Sequence, residues 1–140
     1  MTRIFADACY WIALLHRNDQ LHAAANATRT HLKNAHVVTT DEVLSEVLTF
    51  FCCHGQQMRA AAAQTVEGLR TDAHVTVIEQ SRATFDGGLR RYKKFADKEW
   101  SLADCVSFEL MSRDGITEAL TDDLHFEQAG FIAKLRKQAR

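Results

Sequence analysis

Ile4-Phe5-Ala6-Asp7-Ala8-Cys9-Tyr10-Trp11-Ile12-Ala13-Leu14-Leu15 changes its hydrophobic pattern at Asp7, and that change decides the fold. Ile4, Phe5 and Ala6 read as a short strand, and helix-like residues follow the aspartate at once. Further strand-like runs at residues 37–39, 75–78 and 119–121, with the first at 3–6, alternate with longer helical stretches. Alternating β and α elements predict an α/β fold: one domain over residues 1–140, with a mainly parallel central sheet of about four to five strands and helices on both faces.

The helices are placed by their punctuation. One follows Asp7, a second covers residues 20–34, and a third follows Thr39-Thr40-Asp41-Glu42, which fits a capping box ahead of Val43 and Leu44, and ends at Gly55. A fourth covers residues 57–71, a fifth runs from Ser81 to Phe95, and a sixth from Ser101 to Gly115. The chain has no proline, so glycines and polar caps are its only breaks.

In an open α/β sheet, binding sites form at the carboxyl ends of the strands. Asp7 closes the first strand there, and Asp123 follows the run at 119–121 in the equivalent place. Glu46 and Asp104 lie early in helices that can pack across the same edge. Two carboxylates about 4 Å apart repel by about 4 kcal/mol at an effective dielectric of about 20, so four that converge call for a cation. Magnesium or manganese fits, because hard cations take carboxylate oxygen and water.

Each acid also has a plainer reading. Glu46 stands between Val43, Val47, Phe50 and Phe51 on an apolar helical stripe, where a boundary glutamate paired with an arginine is an equal alternative. Asp104 stands three after Ser101, as in a capping box. Asp122 and Asp123 are adjacent and point to opposite sides of an extended segment, so at most one of them is a direct ligand, and either equally reads as the cap of a helix ahead of Phe126. His125 reads first as packing or surface, and second as a base or phosphate contact.

Composition sets outer bounds. The chain has 140 residues, 46% hydrophobic and 25% charged, with a formal net charge of -1, so no global basic field marks it for nucleic acid. Local basic clusters are Arg90, Arg91, Lys93 and Lys94 around Tyr92, and Lys134, Arg136, Lys137 and Arg140, both of which also read as solvated faces. No apolar run approaches membrane-spanning or signal length, so a cytoplasmic protein with no membrane contact is expected. Cys9, Cys52, Cys53 and Cys105 contain no C-x-x-C pair and read as reduced core thiols.

Beyond the acids, Trp11 and Ala13-Leu14-Leu15, Thr39-Thr40 leading to Val43-Leu44, Asp97-Lys98, the segment from Ser101 through Phe108 with Met111, and Leu120-Thr121 with His125-Phe126 and Ala129-Gly130-Phe131 form an ordered set across nearly the whole chain. With its acids in place this set resembles the PIN-domain nucleases, and within them the VapC-like toxin ribonucleases of bacterial toxin–antitoxin pairs. The resemblance implies a magnesium- or manganese-dependent endoribonuclease whose acidic quartet falls on Asp7, Glu46, Asp104 and Asp123. Asp7, Asp104 and Asp123 would then be direct or water-bridged ligands, and Glu46 a ligand or an orienter of the attacking water. Thr121 matches a supporting hydroxyl and Ser101 a neighbouring polar residue. The chain departs from the family after the first aspartate, where Ala8 and Cys9 replace the usual hydroxyl or small residues.

The same resemblance implies an RNA substrate, a small cognate antitoxin and a homodimer. Its alternatives are a housekeeping RNA-processing nuclease and a catalytically weak PIN-like module that binds RNA or protein. Two other metal-using α/β classes are disfavoured by particular residues. Cys9 stands where a haloacid-dehalogenase phosphatase needs a second aspartate, and Glu79-Gln80 follows the strand after which a phosphorylated receiver needs an aspartate.

Overall fold

A computed structural model describes residues 1–136. Strands β1 (Thr2–Ala6), β2 (Ala35–Thr40), β3 (Val75–Ile78), β4 (Glu118–Leu120) and β5 (Ile132–Ala133) form one sheet in the order β3-β2-β1-β4-β5. Every neighbouring pair is parallel. Strand β1 takes the centre, with Ile4, Phe5 and Ala6 all buried. Chain order runs outward from β1 to β3, then returns to the other side of β1 as β4, so the β1–β4 pair is the point where the winding reverses.

Seven helices connect these strands: α1 (Ala8–Leu15), α2 (His22–Arg29), α3 (Asp41–Phe51), α4 (Gln56–Thr71), α5 (Arg82–Lys94), α6 (Leu102–Asp114) and α7 (Leu124–Gln128). Right-handed crossovers place α1 to α4 on one face and α5 to α7 on the other. The packing agrees: α1 touches α2 and α3, α3 touches α4, and α6 touches α5 and α7. Ala6 pairs in register with Leu120, and the Asp7 amide donates to the Leu120 carbonyl at 3.2 Å. Asp7 and Thr121 therefore leave adjacent strands side by side.

Aromatic rings tie the second helical layer to the sheet. Phe5 of β1 lies 6.2 Å from Phe126 of α7, Phe126 is 4.9 Å from Phe108 of α6, and Phe108 is 5.0 Å from Trp100. The edge-to-face contacts made by Phe108 each add about 0.5–1.5 kcal/mol beyond area burial. Helix α5 approaches α6 through Gly87 and Gly88, and a Cβ on Gly88 would stand 2.5 Å from Val106 Cγ2 and 3.1 Å from its backbone nitrogen. The Arg91 Nε to Glu109 Oε2 ion pair, 3.1 Å, closes the same seam.

Several boundaries differ from the sequence reading. The second helix covers only His22–Arg29, because Thr28 and Thr30 turn their hydroxyls back to the carbonyls of Ala24 and Ala27 and the chain tightens into turns. Helix α3 ends at Phe51, and Gly55, at φ +89°, opens α4 rather than closing α3. Thr40 caps α3 by accepting from the Val43 amide, without a reciprocal side chain. Phe50 leaves the expected apolar stripe and is exposed. Of the four expected core thiols only Cys105 is fully buried; Cys52 and Cys53 are exposed, 3.5 Å apart, because α3 has already unwound into a surface turn.

The basic clusters are partly consumed: Arg91 by Glu109, Lys134 by Glu118 at 3.2 Å, and Arg136 by Glu127 at 3.1 Å. Lys137 and Arg140 lie outside the described residues.

The two helical glycines at Gly68 and Gly88 should respond oppositely to alanine. Gly68 sits in α4 with nothing within 4 Å of its added Cβ, so Gly68→Ala should gain about 0.5–1 kcal/mol from helix propensity. Gly88→Ala should lose about 1–3 kcal/mol from overpacking against Val106, less a similar propensity gain. Urea midpoints check both; equal shifts in the same direction would contradict the close α5–α6 approach.

Candidate metal centre

At the end of β1, Asp7 is only 8% exposed, and its Oδ2 accepts the Thr121 hydroxyl proton at 2.9 Å. The Thr121 oxygen accepts in turn from the Asp123 amide at 3.1 Å and lies 3.3 Å from Cys9 Sγ. With the threonine proton spent on Asp7, the thiol is the donor in that last contact. Burial, and then the charge of Asp7, push the Cys9 thiol far above its ordinary value, so it stays protonated. Thr121 is thus the hydroxyl that supports Asp7 here, and the Cys9 thiol, at one of the two positions after Asp7 that depart from the family, lies against both groups.

Asp104 and Asp123 reach the same edge through helix caps. Ser101 and Asp104 form a reciprocal capping box at the start of α6: the Asp104 amide donates to Ser101 Oγ at 3.0 Å, and the Ser101 amide donates to Asp104 Oδ2 at 3.3 Å. Asp123 caps α7, its Oδ1 accepting from the His125 amide at 2.9 Å. His125 Nδ1 lies 3.2 Å from Asp104 Oδ2 and 3.5 Å from Asp123 Oδ1, and so bridges the two caps. The plain readings of Asp104 and Asp123 as caps are correct, and both residues still face the site.

In Asp104 and Asp123 one carboxylate oxygen is used in this way and the other is not: Asp104 Oδ2 and Asp123 Oδ1 take the hydrogen bonds, while Asp104 Oδ1 and Asp123 Oδ2 accept none among the described residues. Asp104, Asp123 and His125 each present a donor atom, all within 4.8 Å of one another. Carboxylate oxygens with one imidazole nitrogen form a donor set that suits a divalent cation.

The electrostatics point the same way. Asp7 is raised from 3.8 to about 6, first by burial and further by the charges of Asp104 and Asp123, against the opposing Thr121 hydrogen bond. Asp104 is raised by burial and then by Asp123, with His125 opposing. Glu46 is exposed as a residue, yet its carboxyl is raised to about 7 by desolvation of its inward end and then by Asp7, Asp104 and Asp123. Among the described residues no lysine or arginine forms an ion pair with any of these four acids, which removes the reading of Glu46 as an arginine-paired boundary residue. Like charges are left to repel one another, the condition under which a cation is stabilised.

All four sequence-selected acids therefore sit within one field, although only Asp104 and Asp123 belong to the tight group. Asp122 stays outside it. His125, ranked as packing or surface, is its third member, and the signal was present in the sequence: a residue two after an N-cap aspartate lies in the first helical turn, turned back toward the cap.

Beside Glu46 a cleft of about 590 Å³ opens between α3, α5 and the start of α6, lined by Glu42, Ser45, Arg82, Phe85, Leu102 and Ala103 among others. Of the four acids, Glu46 lines it, and Ala103 at its edge directly precedes Asp104.

The chain is 30% identical over 132 residues to the 23S rRNA-specific endonuclease VapC20 of Mycobacterium tuberculosis, in strains CDC 1551 / Oshkosh and ATCC 25618 / H37Rv, covering 92% of this chain and 95% of the relative. The crystal structure of M. tuberculosis VapC20, described as a sarcin–ricin loop cleaving toxin, superposes with a TM-score of 0.81 at 28% identity, over 92% of this chain and 96% of that one. The PIN domain profile matches residues 4–132, and the chain belongs to the PIN domain family.

Proposed function

We propose that this protein is an Mg2+- or Mn2+-dependent endoribonuclease that hydrolyses RNA phosphodiesters as the toxin of a toxin–antitoxin pair. The observation that carries this reading is the convergence of Asp104, Asp123 and His125 within 4.8 Å, beside Asp7 and Glu46, with no lysine or arginine paired to the acids among the described residues. Its similarity to an RNA-specific endonuclease over nearly the whole chain supports the same reaction class. The same similarity, to a 23S rRNA-specific endonuclease, supports structured ribosomal RNA as the substrate class.

Asp7, Asp104 and Asp123 would hold the cation, the last two through the oxygens their helix caps leave unused, with Glu46 as a further ligand or as the orienter of water. A bound Mg2+ or Mn2+ would acidify a water and offset charge developing on the phosphate. Thr121 fixes Asp7 in one rotamer, and His125 holds Asp104 and Asp123 together. Glu46, at about 7, is matched to accept a proton from water near neutral pH. Asp7 keeps a hydroxyl donor in Thr121 despite Ala8 and Cys9, which favours a working nuclease over a binding-only module.

The same reading places the protein in the cytoplasm with a small antitoxin and a second copy of itself as partners. No helix among the described residues is long and apolar enough to cross a membrane. Exposed Leu48 and Phe50 offer apolar surface for such contacts.

Purified protein should cut ribosomal RNA at discrete positions with Mg2+ or Mn2+ and stop in EDTA. Asp7→Asn and Asp104→Asn should each lose more than about 100-fold, beyond the range typical of residues that only support a ligand. Primer extension reads the outcome, and cleavage that survives EDTA or both substitutions rejects the reading.

Thr121→Val should lower activity by about 10–100-fold, because the hydroxyl orients Asp7 without touching the ion. Cys9→Ser, which keeps a donor, should stay near wild type, and Cys9→Ala should fall between the two. Equal activity in all three would show that Asp7 needs no such support.

Stability without metal should fall as pH rises. The Asp7 pKa is raised from 3.8 to about 6, so its protonated form is favoured in the folded state; that stabilisation is complete below 3.8 and disappears as pH rises through about 6. Relative to acid, its loss is on the order of 3 kcal/mol at about 1.36 kcal/mol per pKa unit. Thermal melts in EDTA should therefore show Asp7→Asn to be the more stable form above about pH 6 and no advantage below the unfolded value. Mn2+ should raise the wild-type Tm increasingly with pH and the variant's much less; a variant Tm below wild type throughout would contradict burial of an unpaired charge.

A further inference from the structure

The cleft beside Glu46 has one basic side chain among the described residues that line it, Arg82, and one aromatic, Phe85. Both belong to the first turns of α5, and the Arg82 guanidinium carbon lies 5.4 Å from the Phe85 ring centroid. Phe85 is 40% exposed in a concave wall rather than packed into the core. Arg82 is 82% exposed and has only a long contact to Asp86, at 3.9 Å.

Its position is not the one helix electrostatics would select. A cation in the first turn of a helix opposes the macrodipole, a penalty of roughly 0.3–1 kcal/mol. The basic residues of α5 that complement the dipole, Arg91, Lys93 and Lys94, are at the other end. The rest of the cleft supplies opposite chemistry: Glu42 and Glu46 on one wall, Leu102 and Ala103 on another, and Ala103 directly precedes Asp104. A polyanion entering this acid-lined space needs a cation to meet it, and a nucleotide also needs a flat apolar face. Arg82 and Phe85 provide the two together, and the volume of about 590 Å³ is within the range of small-ligand pockets, about 300–1,000 Å³.

We propose that Phe85 and Arg82 form a nucleotide shelf, on which an unpaired base flanking the scissile phosphate stacks against Phe85 while Arg82 contacts its phosphate or covers its other edge. The inference rests on the nuclease reading and deepens it, by assigning substrate selection to unstacked, single-stranded positions. Proteins that read RNA in loops splay bases onto aromatic rings and arginine planes. Stacking tolerates any base, so the shelf selects exposure of the nucleotide over its identity.

The test separates binding from chemistry. In the Asp7→Asn background with magnesium, fluorescence anisotropy of a fluorescein-labelled single-stranded RNA dodecamer should show binding weakened by about 5- to 150-fold on Phe85→Ala, the loss expected for one stacked base, and restored by Phe85→Tyr. Arg82→Ala should weaken binding and reduce its salt dependence, with Arg82→Lys recovering the salt dependence only. An abasic substitution scanned along the RNA should weaken binding at one position in the wild-type shelf and at none in Phe85→Ala. Unchanged affinity in Phe85→Ala, or an abasic penalty that persists in it, overturns the shelf. In parallel, cleavage of ribosomal RNA by the shelf variants in the Asp7 background should show raised KM with kcat little changed. A wild-type protein that binds through Phe85 but cuts nothing with any metal would sustain the shelf and overturn the nuclease reading instead, so the two failures are distinguishable.

Discussion

The Thr121 hydroxyl has one proton and two lone pairs, and all are committed: the proton to Asp7, the lone pairs to the Asp123 amide and the Cys9 thiol. This group decides where the acidic edge forms. Asp7 is nearly removed from water, and an ionised carboxylate there is costly without a donor. Thr121 reaches it only because Ala6 and Leu120 are in register, which brings the residues that follow them out side by side. A slip of one residue would turn Thr121 to the opposite face of the sheet and leave Asp7 buried with no donor. Even in register the hydrogen bond offsets only part of the desolvation, since Asp7 remains raised to about 6. The residual cost is a local conflict that a cation can relieve.

That conflict is held in place by the apolar core behind it. Asp104 and Asp123 begin α6 and α7, and those helices are fixed to each other through Phe108 and Phe126, whose centroids are 4.9 Å apart and nearly perpendicular. Phe126 also rests on Phe5 in the central strand, and Trp100 binds the far end of α7 through its indole N–H to Gln128 at 3.0 Å. Repulsion between the two aspartates acts to separate the helices, and ring packing with the His125 bridge opposes it. The site is therefore a strained edge on a stiff scaffold, and the contact between α6 and α7 positions both acids.

The strand-to-helix switch at Asp7 and the punctuation around Ser101 and Thr121 were readable from the sequence because they are local: a change of period and two caps. They located three of the four acids, and the parallel sheet followed from the alternation of elements. What was hidden depends on tertiary distance. His125 and Asp104 are 21 residues apart and meet only because α6 and α7 pack, so His125 looked like an isolated histidine beside Phe126. Cys52 and Cys53 looked like core residues because Phe50 and Phe51 precede them, but α3 ends one residue earlier and turns both thiols outward. Arg82 drew no notice in a chain whose basic clusters lie elsewhere, and only the cleft shows that it lines the same wall space as Glu46.

The double use of Asp104 and Asp123 as caps and as facing acids has a consequence for how the site is built. A capping carboxylate needs one oxygen, and here each cap takes one and leaves one. The helix that positions the acid is stabilised by the same side chain that would hold the ion, so folding α6 and α7 orients the unused oxygens before any ion arrives. Preorganisation of that kind removes the entropy of ordering ligands from the binding step. It also divides charge from shape: an asparagine at either position keeps an oxygen for the helix and gives up the negative charge, whereas an alanine removes both. At the N-cap position of Asp123 asparagine caps as well as aspartate, so a function lost there with asparagine depended on the charge facing the site rather than on the turn of helix behind it.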